Sequence, residues 1–434
     1  MWWLYEVALL LGLCLYLPKA LWRRRLPHRG WSMRLGRYPA GVVAALAQRR
    51  SVWIHAVSLG EVRAVQPVVR ALAQRHPDDP VVLSTVTPGG FDAASQQAAS
   101  LPAAPGAAQA GRGVAVFFPL DVRPCVRRAF DALHPRILLL VESELWPTVI
   151  REARTRGVPV AVINGRISPR AFRRYALVAP WLRGTLERVD LFLMQSQPDA
   201  DRLVQLGASR ERVRVIGSLK CDASIGSRPS AEAIRTTAAR LGLNGRDAVV
   251  VCGSTHRGEE ALLLQAYGAL RRSHPRLRLI LAPRHLERLA EVEALVRRRG
   301  LRAARLSEAP AGGWEVGIVD TFGQLPQYYG LATVAVIGGS FIPHGGQNPL
   351  EAASLGKPIL FGPSMHNFAD ITQHLLASRA AQQLAAGGDL AGALTTLLEH
   401  PADADAMGRR AQELTEGSQG AARRTLDALA PLLT

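Results

Sequence analysis

Three carboxylates follow two apolar runs in the first half of this 434-residue sequence. Glu61 ends a Ser-Leu-Gly-Glu segment at 58–61, and Glu142 and Glu144 follow the second run. A carboxylate in such a place could take the proton from an attacking hydroxyl group, which is the task of a general base. Ser58 and Glu61 also have the spacing of a capping box, and a glutamate can simply compensate a helix N-terminus. The residues alone leave both interpretations open.

Two glycine-rich segments follow apolar runs in the second half, at 253–258 and 338–346. Glycines leave backbone N–H groups open to a ligand, and a helix expected to begin at Asn348 and Pro349 would direct its positive end towards a phosphate. A capping box at 348–351 explains part of this second pattern without a ligand. Arg284 follows another apolar run, where a guanidinium could bind a phosphate. These segments predict a phosphate or nucleotide site.

No metal or other cofactor is expected from the residue pattern. The two Asp-x-Asp segments, at 199–201 and 403–405, do not end apolar strands and are typical of helix starts. The four cysteines form no Cys-x-x-Cys pair, so neither a zinc site nor a disulfide framework is indicated. They are Cys14, Cys125, Cys221 and Cys252. A leaving group with a single phosphate can be stabilised by helix ends and basic side chains instead.

The elements that must position these residues alternate between apolar runs and amphipathic stretches, the pattern of βαβ units and a parallel sheet. The strands predicted in the first half are 51–57, 81–87, 114–118, 137–141, 158–163 and 191–195. Those predicted in the second half are 248–252, 277–282, 315–319, 333–337 and 358–361. Ligands bind outside the carboxyl ends of such strands, where the segments described above begin. The strand pattern is lost near 218–245, so we expect two doubly wound, Rossmann-like α/β domains, 26–218 and 219–434.

The first 17 residues are almost entirely apolar, with Glu6 as the one charged residue, and Arg23, Arg24 and Arg25 follow shortly after. Basic residues beside an apolar segment keep that side in the cytoplasm. We therefore expect residues 1–25 to form a membrane anchor with a basic flank. The segment is short for a spanning helix, so it either spans the bilayer or lies in the interface. A buried first helix of the globular domain is the alternative.

The chain is strongly basic, with 53 Lys and Arg against 35 Asp and Glu and a formal net charge of +18. Such a charge favours phosphates, nucleic acid or an anionic bilayer surface as partners. A basic nucleic-acid-binding protein is thus one alternative from composition. Neither zinc-finger spacing nor an aromatic stacking motif nor a helix-turn-helix pattern supports it, so we expect no nucleic acid partner.

Seven segments together resemble the bacterial Kdo (3-deoxy-D-manno-octulosonic acid) transferases of lipid A assembly, over nearly the whole chain. They are S-L-G-E at 58–61, V-E-S-E-L-W-P at 141–147, N-G-R-I-S at 164–168, G-S-L-K at 217–220, G-S-T-H at 253–256, P-R-H at 283–285 and G-G-Q-N-P-L-E at 345–351. The resemblance implies a GT-B fold with two domains facing a central cleft. It implies transfer of Kdo from CMP-Kdo to the lipid A precursor, lipid IVA, with inversion and release of CMP.

The resemblance also implies roles for individual residues. Glu61 would be the general base, with Glu142 or Glu144 as a possible second carboxylate. The residues that would bind CMP are Pro283, Arg284, Phe322, Gly323, Gln324, Asn348, Pro349, Leu350 and Glu351. Those that could contact a phosphate or the Kdo carboxylate are Lys220, Ser254, Thr255 and His256. Gln324 stands where the family has a glutamate, so a contact that needs a carboxylate there is in doubt.

The implied acceptor is a phosphorylated lipid, which accounts for an anchor and a basic surface. We therefore expect a cell inner membrane protein with a single N-terminal anchor, its catalytic domains on the cytoplasmic side and residues 26–218 binding the acceptor. Residues 219–434 would bind the CMP-sugar. Another lipid-directed GT-B transferase that uses a UDP sugar is the nearest alternative enzyme.

Overall fold

The computed structural model describes Tyr5, Gly12 and residues 30–47, 49–101, 113–308 and 313–433. The expected anchor at 1–25 lies outside the described residues, apart from Tyr5 and Gly12. Within the described ranges, no helix is both long enough and apolar enough to cross a bilayer.

The first sheet has seven parallel strands in the order β3-β2-β1-β4-β5-β6-β7. Its strands are β1 Ser51–His55, β2 Val81–Thr85, β3 Gly113–Phe117, β4 Pro135–Val141, β5 Val160–Gly165, β6 Leu191–Met194 and β7 Val213–Val215. Runs of Val, Ile and Leu form its central strands because helices cover both faces. Alternate residues of β1 and β4 accordingly enter separate buried clusters, with Ile54 and Leu139 on one face and Trp53 and Leu138 on the other.

The helices that accompany this sheet are Trp31–Arg34, Ala40–Leu46, Leu59–Ala64, Gln66–Arg75, Pro88–Ala99, Arg123–Leu133, Pro147–Thr155, Pro169–Ala176, Ala179–Leu186, Gln197–Gln205, Leu219–Gly226 and Ala421–Leu429. Several begin with a serine or threonine whose side chain accepts a hydrogen bond from the first turn, as Ser58 does for Leu59–Ala64. These caps end each connecting loop at a defined residue and so set where the loop side chains lie.

The second sheet also has seven parallel strands, in the order β10-β11-β9-β8-β12-β13-β14. Its strands are β8 Ala248–Thr255, β9 Leu277–Pro283, β10 Ala303–Arg305, β11 Val316–Ile318, β12 Val334–Ile337, β13 Ile359–Phe361 and β14 Gln382–Gln383. The helices are Ala231–Arg240, Glu259–Leu270, Leu289–Arg298, Leu325–Leu331, Leu350–Ser354, Ala369–Ala377, Leu390–Glu399 and Pro401–Gly417. Every strand predicted from the sequence is present. The two Rossmann-like α/β domains are therefore confirmed.

Three short strands, β7, β10 and β14, were not predicted. Each lies at the edge of its sheet, and each has only two or three residues. An edge strand is paired and covered on one side only, so it does not need the continuous apolar run that marks a central strand.

The chain divides into two compact units, Met1–Ala223 with Gly420–Thr434, and Ser224–Gln419. The sequence analysis assigned the whole of 219–434 to the second domain, whereas the structure packs the last helix on the first. Leu426 and Leu429 join a buried cluster of the first sheet, and the Asp222 carboxylate accepts hydrogen bonds from the N–H groups of Gly420 and Ala422. The C-terminal segment thus completes the core of the unit in which the chain begins.

Candidate active site

The topological switch point of the first sheet lies between β1 and β4. From β1 the chain continues to β2 and β3 on one side, and from β4 it continues to β5, β6 and β7 on the other. The loops after β1 and β4 therefore diverge and leave a crevice at the carboxyl edge, the usual ligand position in an open α/β sheet. Glu61 lies in the first turn of the helix after β1, while Glu142 and Glu144 lie in the loop after β4. Folding brings together all three glutamates singled out in the sequence.

The Glu61 side chain folds back over the start of its own helix. Its Oε2 accepts a hydrogen bond from the Val57 N–H at 2.8 Å, and its Oε1 accepts one from the Ser58 hydroxyl at 2.9 Å. The Ser58 Oγ in turn accepts from the Glu61 N–H at 3.4 Å. The capping interpretation is therefore correct, and it does not exclude the catalytic one. The cap holds the carboxylate in one defined position at the crevice.

The surroundings of Glu61 raise its pKa to about 7. Burial is the largest cause, since it disfavours the charged form, and the Glu142 carboxylate adds to it. The hydrogen bonds from Val57 and Ser58 act in the opposite direction, and Glu144 makes a smaller contribution that again raises the pKa. A carboxyl group with a pKa near neutrality matches the protonation demands of a general base at physiological pH.

Glu142 is held by an ion pair to Lys220, with 2.9 Å between Oε1 and Nζ, and both side chains are about four-fifths buried. Glu142 has a left-handed backbone (φ +60°), which is uncommon for a non-glycine residue and indicates a tightly constrained loop. Lys220 is the second residue of the helix Leu219–Gly226, and the buried Asn164 Oδ1 accepts a hydrogen bond from the Leu219 N–H at 3.0 Å. Asn164 thus holds the helix start from which Lys220 reaches the Glu142 carboxylate.

The structure distinguishes Glu142 from Glu144, which the sequence left as alternatives. Burial raises the pKa of Glu144, and the Glu142 charge adds to this. Glu144 in turn contributes to the raised pKa of Tyr175, for which burial is the largest cause. Glu142 acts on Glu61 more strongly than Glu144 does. Glu142 is therefore the carboxylate with the larger effect on the pKa of Glu61, and Lys220, expected to contact a ligand, has Glu142 as one partner.

In the second sheet the switch point lies between β8 and β12. Glu259, 1% exposed, connects the loops that follow these two strands. Its carboxylate accepts hydrogen bonds from the N–H groups of His256 at 2.9 Å, Gly339 at 2.7 Å and Phe341 at 3.0 Å. The sequence analysis assigned no role to this glutamate. The only available signal was its place in the first turn of the helix after β8.

Thr255, one of the residues expected to contact a ligand, ends β8 and has a structural partner. The Thr255 hydroxyl is fully buried and donates to Glu260 Oε1 at 3.0 Å. Glu260 also accepts two hydrogen bonds from Arg288, at 2.9 and 3.2 Å. Ser254 has a left-handed backbone (φ +56°). The threonine therefore fixes the turn, while Ser254 is half-buried and His256 is buried, at 8% exposure.

His256 lies within a group of basic side chains at this edge. Its ring centroid is 4.0 Å from that of His344 and 5.6 Å from that of His285. Burial lowers the pKa of His256 to about 4, with His344, His285 and Arg284 adding to the effect. The imidazole is therefore neutral at physiological pH, and its Nε2 lies 3.1 Å from Gln347 Nε2. His344 was not predicted as a site residue.

The other residues expected to bind CMP lie in loops at the same carboxyl edge. Pro283 ends β9, and the Arg284 N–H donates to the Thr255 carbonyl at 2.9 Å. Phe322 is 65% exposed, and Gly323 has a left-handed backbone that favours glycine. These four residues belong to two neighbouring loops, because β9 pairs with β11.

The expected helix start at Asn348 and Pro349 is displaced by one or two residues. The helix is Leu350–Ser354, and the Asn348 Oδ1 accepts a hydrogen bond from the Leu350 N–H at 3.1 Å. Gln324 precedes another helix, and its Oε1 accepts from the Tyr328 hydroxyl at 3.3 Å. Both amide side chains therefore have a local structural role.

Both Asp-x-Asp segments lie at helix starts, as predicted. Asp199 is in the first turn of Gln197–Gln205, and Asp403 is in the first turn of Pro401–Gly417. The part of the chain that the structure describes contains no group of three His, Cys, Asp or Glu side chains that could hold a metal ion.

Two parallel α/β units, each with its polar loops at a switch point, define the architecture of GT-B-like proteins. Among solved structures, UDP-GlcNAc 2-epimerase from Neisseria meningitidis bound to UDP-GlcNAc is similar in fold, with a TM-score of 0.59 and 14% identity. The similarity covers 88% of this chain and 100% of the epimerase.

Sequence comparison identifies the family. Residues 29–223 match the family described as 3-deoxy-D-manno-octulosonic-acid transferase. The 3-deoxy-D-manno-octulosonic acid transferase of Bordetella pertussis is 37% identical over 422 residues, 94% of each chain. That of Haemophilus influenzae is 30% identical over 391 residues, 88% of this chain and 87% of the relative. The chain belongs to the Kdo transferase family, the glycosyltransferases that transfer Kdo in lipopolysaccharide biosynthesis.

Proposed function

We propose that this chain transfers Kdo from CMP-Kdo to a phosphorylated lipid A precursor, lipid IVA, with inversion, without a metal ion, and at the cytoplasmic face of the inner membrane. The observation that carries the proposal is Glu61, a carboxylate at the switch point of the first sheet with a pKa raised to about 7.

In the proposed reaction, ionised Glu61 accepts the proton of an acceptor hydroxyl group. The hydroxyl oxygen attacks the anomeric carbon of Kdo from the face opposite to CMP. As the new glycosidic bond forms, the bond from the anomeric carbon to the phosphate oxygen breaks, and CMP leaves with that electron pair. One displacement from the opposite face inverts the anomeric configuration.

The second unit supplies the groups for the donor. The Arg284 guanidinium could stabilise the charge that develops on the leaving phosphate, since basic side chains can replace a metal ion in this task. The neutral His256 imidazole, grouped with His285 and His344, could add a hydrogen bond. Loops tied together by Glu259 would hold these groups in place before the donor binds. Glu259 is therefore expected to contribute to donor affinity through preorganisation.

Changing Arg284 to alanine tests this assignment. We expect the KM for CMP-Kdo to rise about tenfold or more, because a charge-assisted hydrogen bond to phosphate contributes about 1.5–3 kcal/mol. The KM for the acceptor should stay close to that of the wild type. An unchanged donor KM, measured with the lipid acceptor at saturation, would remove Arg284 from the donor site.

Attachment to the membrane is proposed for residues 1–25, with the positive net charge of the chain as a second contribution. A lipid acceptor that stays in the bilayer requires its enzyme to be at the surface. Deletion of 1–25 should therefore release much of the protein from sedimented membranes. It should leave transfer to a detergent-dispersed acceptor largely intact.

The decisive experiment incubates purified protein with CMP-Kdo and a tetra-acylated lipid A precursor, followed by mass analysis of the lipid. A mass increase by whole Kdo residues is expected, and it should persist in EDTA. NMR of the product gives the anomeric configuration. No mass increase with CMP-Kdo, but transfer from a UDP sugar, would overturn the assignment.

A further inference from the structure

Arg34 is a buried arginine that has no anionic partner in the part of the chain that the structure describes. It is 8% exposed and lies at the end of the helix Trp31–Arg34. Its Nη2 donates to the Val86 carbonyl, its guanidinium lies 4.8 Å from the centroid of the Phe117 ring, and its buried Nε has no hydrogen-bond partner. Burial lowers its pKa. No carboxylate among the described residues pairs with it, although a buried charge without a counter-ion is costly.

The helix Pro88–Ala99 begins beside this guanidinium, two residues after Val86. Its N-cap Thr87 accepts a hydrogen bond from the Gly90 N–H at 3.1 Å, and its first turn contains no acidic residue. Glycine is required at position 90, because a Cβ there would lie 2.3 Å from Thr85 Oγ1. At Gly89 a Cβ would meet nothing within 4 Å, and φ is not positive. Gly89 therefore leaves the positive end of the helix open for close approach.

This helix start is adjacent to the catalytic carboxylate. The Val57 N–H donates to Glu61, while the Val57 carbonyl accepts hydrogen bonds from the N–H groups of Val86 and Thr87, both at 3.3 Å. Neighbouring strands are about 4.8 Å apart, so a group bound at the end of β2 lies within about one sugar ring of a group at the end of β1.

We propose that Arg34 and the N-terminal turn of Pro88–Ala99 bind a phosphate group of the lipid acceptor and so position the hydroxyl group that Glu61 deprotonates. The phosphate supplies the counter-ion that Arg34 lacks and meets the open helix end at Gly89. This inference rests on the proposed function, since it names the part of the acceptor that the first unit recognises.

The test compares three acceptors: the bisphosphorylated lipid A precursor and the two precursors that each lack one phosphate. With wild-type enzyme, removal of one of the two phosphates should raise the acceptor KM about tenfold or more, as expected for loss of a charge-assisted contact. Arg34→Gln should lose this discrimination, so that its KM is the same with and without that phosphate. A purely structural role of Arg34 would instead lower activity towards all three acceptors equally.

Gly89→Ala provides a second variant that leaves Arg34 in place. Alanine is a better helix former than glycine, so the protein should fold at least as well, while the added methyl group should weaken the phosphate discrimination. Two matched control variants should keep the phosphate discrimination. They are Gly268→Ala, at an open position of the helix Glu259–Leu270, and Arg136→Gln, which replaces an arginine paired with Asp79.

Two results would overturn the inference: wild-type discrimination retained by both Arg34→Gln and Gly89→Ala, or equal wild-type KM values for all three acceptors. In either case Kdo transfer itself persists, so the proposed function stands. If wild-type enzyme modifies none of the three acceptors, the proposed function fails, and this inference fails with it.

Discussion

In each unit, a glutamate lies in the first turn of the helix that follows a strand at the switch point. These residues are Glu61 after β1 and Glu259 after β8. Both carboxylates fold back onto the preceding backbone, and yet their surroundings differ. Glu259 is 1% exposed and receives three backbone N–H groups from two loops. Glu61 receives a single backbone N–H, and Glu142 lies close enough to raise its pKa. The same local position therefore yields a structural anchor in one unit and a titratable group in the other.

The largest effect is expected for Glu61→Gln. Loss of the base should reduce kcat by about 10²- to 10⁴-fold, the usual contribution of general acid–base catalysis. CMP binding, measured by calorimetry, should be unchanged because the groups proposed to bind the donor lie in the second unit. Wild-type kcat in this variant would contradict the catalytic role.

The folded state of Glu61→Gln should also be more stable than that of the wild type at neutral pH. The folded-state pKa of Glu61, about 7, lies above its ordinary value of 4.5, so the ionised form is disfavoured by folding. This destabilisation is absent below about pH 4.5 and complete above about pH 7. Thermal melts at pH 8 should therefore show a higher Tm for Glu61→Gln, with the difference vanishing towards pH 4.5.

Glu259→Gln should show the opposite combination. An amide presents one oxygen and an NH₂ group to three N–H donors, so at least one donor stays unpaired at a cost of about 1–3 kcal/mol, and more for loss of the charge. We expect the Tm of the second unit to fall by about 5–10 °C and CMP affinity to weaken. Glu291→Gln, at an exposed position in the first turn of the helix Leu289–Arg298, should change the Tm by far less. An unaltered Tm in Glu259→Gln would remove the contrast between the two glutamates.

The pH dependence of kcat/KM separates Glu142 from Glu144. Activity should rise with pH through about 7, as Glu61 loses its proton. Of the two carboxylates, Glu142 raises the pKa of Glu61 more. Glu142→Gln should therefore move the midpoint of the pH profile to lower pH. Glu144→Gln should move it in the same direction by a smaller amount. A larger shift in Glu144→Gln would reverse this order.

Lys220→Met should shift the midpoint of the pH profile least of these variants, and towards higher pH. Without its ion-pair partner, the Glu142 charge acts more strongly on Glu61 and raises the midpoint of the pH profile. At a pH well above this midpoint the variant should recover much of the wild-type rate. An unchanged midpoint with kcat/KM lowered by the same factor at every pH would show that Lys220 acts on the substrate and not through Glu142.

Much of this site could be predicted before the structure. The apolar runs located the central strands, and the residues after those runs identified Glu61, Glu142 and the second-unit loops at the carboxyl edges. Glu259 and His344 were missed because their importance comes from neighbours 80 or more residues away in sequence. Arg34 was missed for a similar reason, since nothing around it in sequence distinguishes it from the other arginines.

The sequence by itself determined what local chemistry controls: every strand except the three short edge strands, the capping box at Ser58 and Glu61, and the two Rossmann-like halves. Burial periodicity and turn residues act within a few positions of one another, so they can be read along the chain. Only the tertiary structure decided which charges meet. The pairing of Lys220 with Glu142, the pKa of Glu61 and the return of the last helix to the first unit depend on distance and desolvation. These are properties of the packed chain and not of any segment of it.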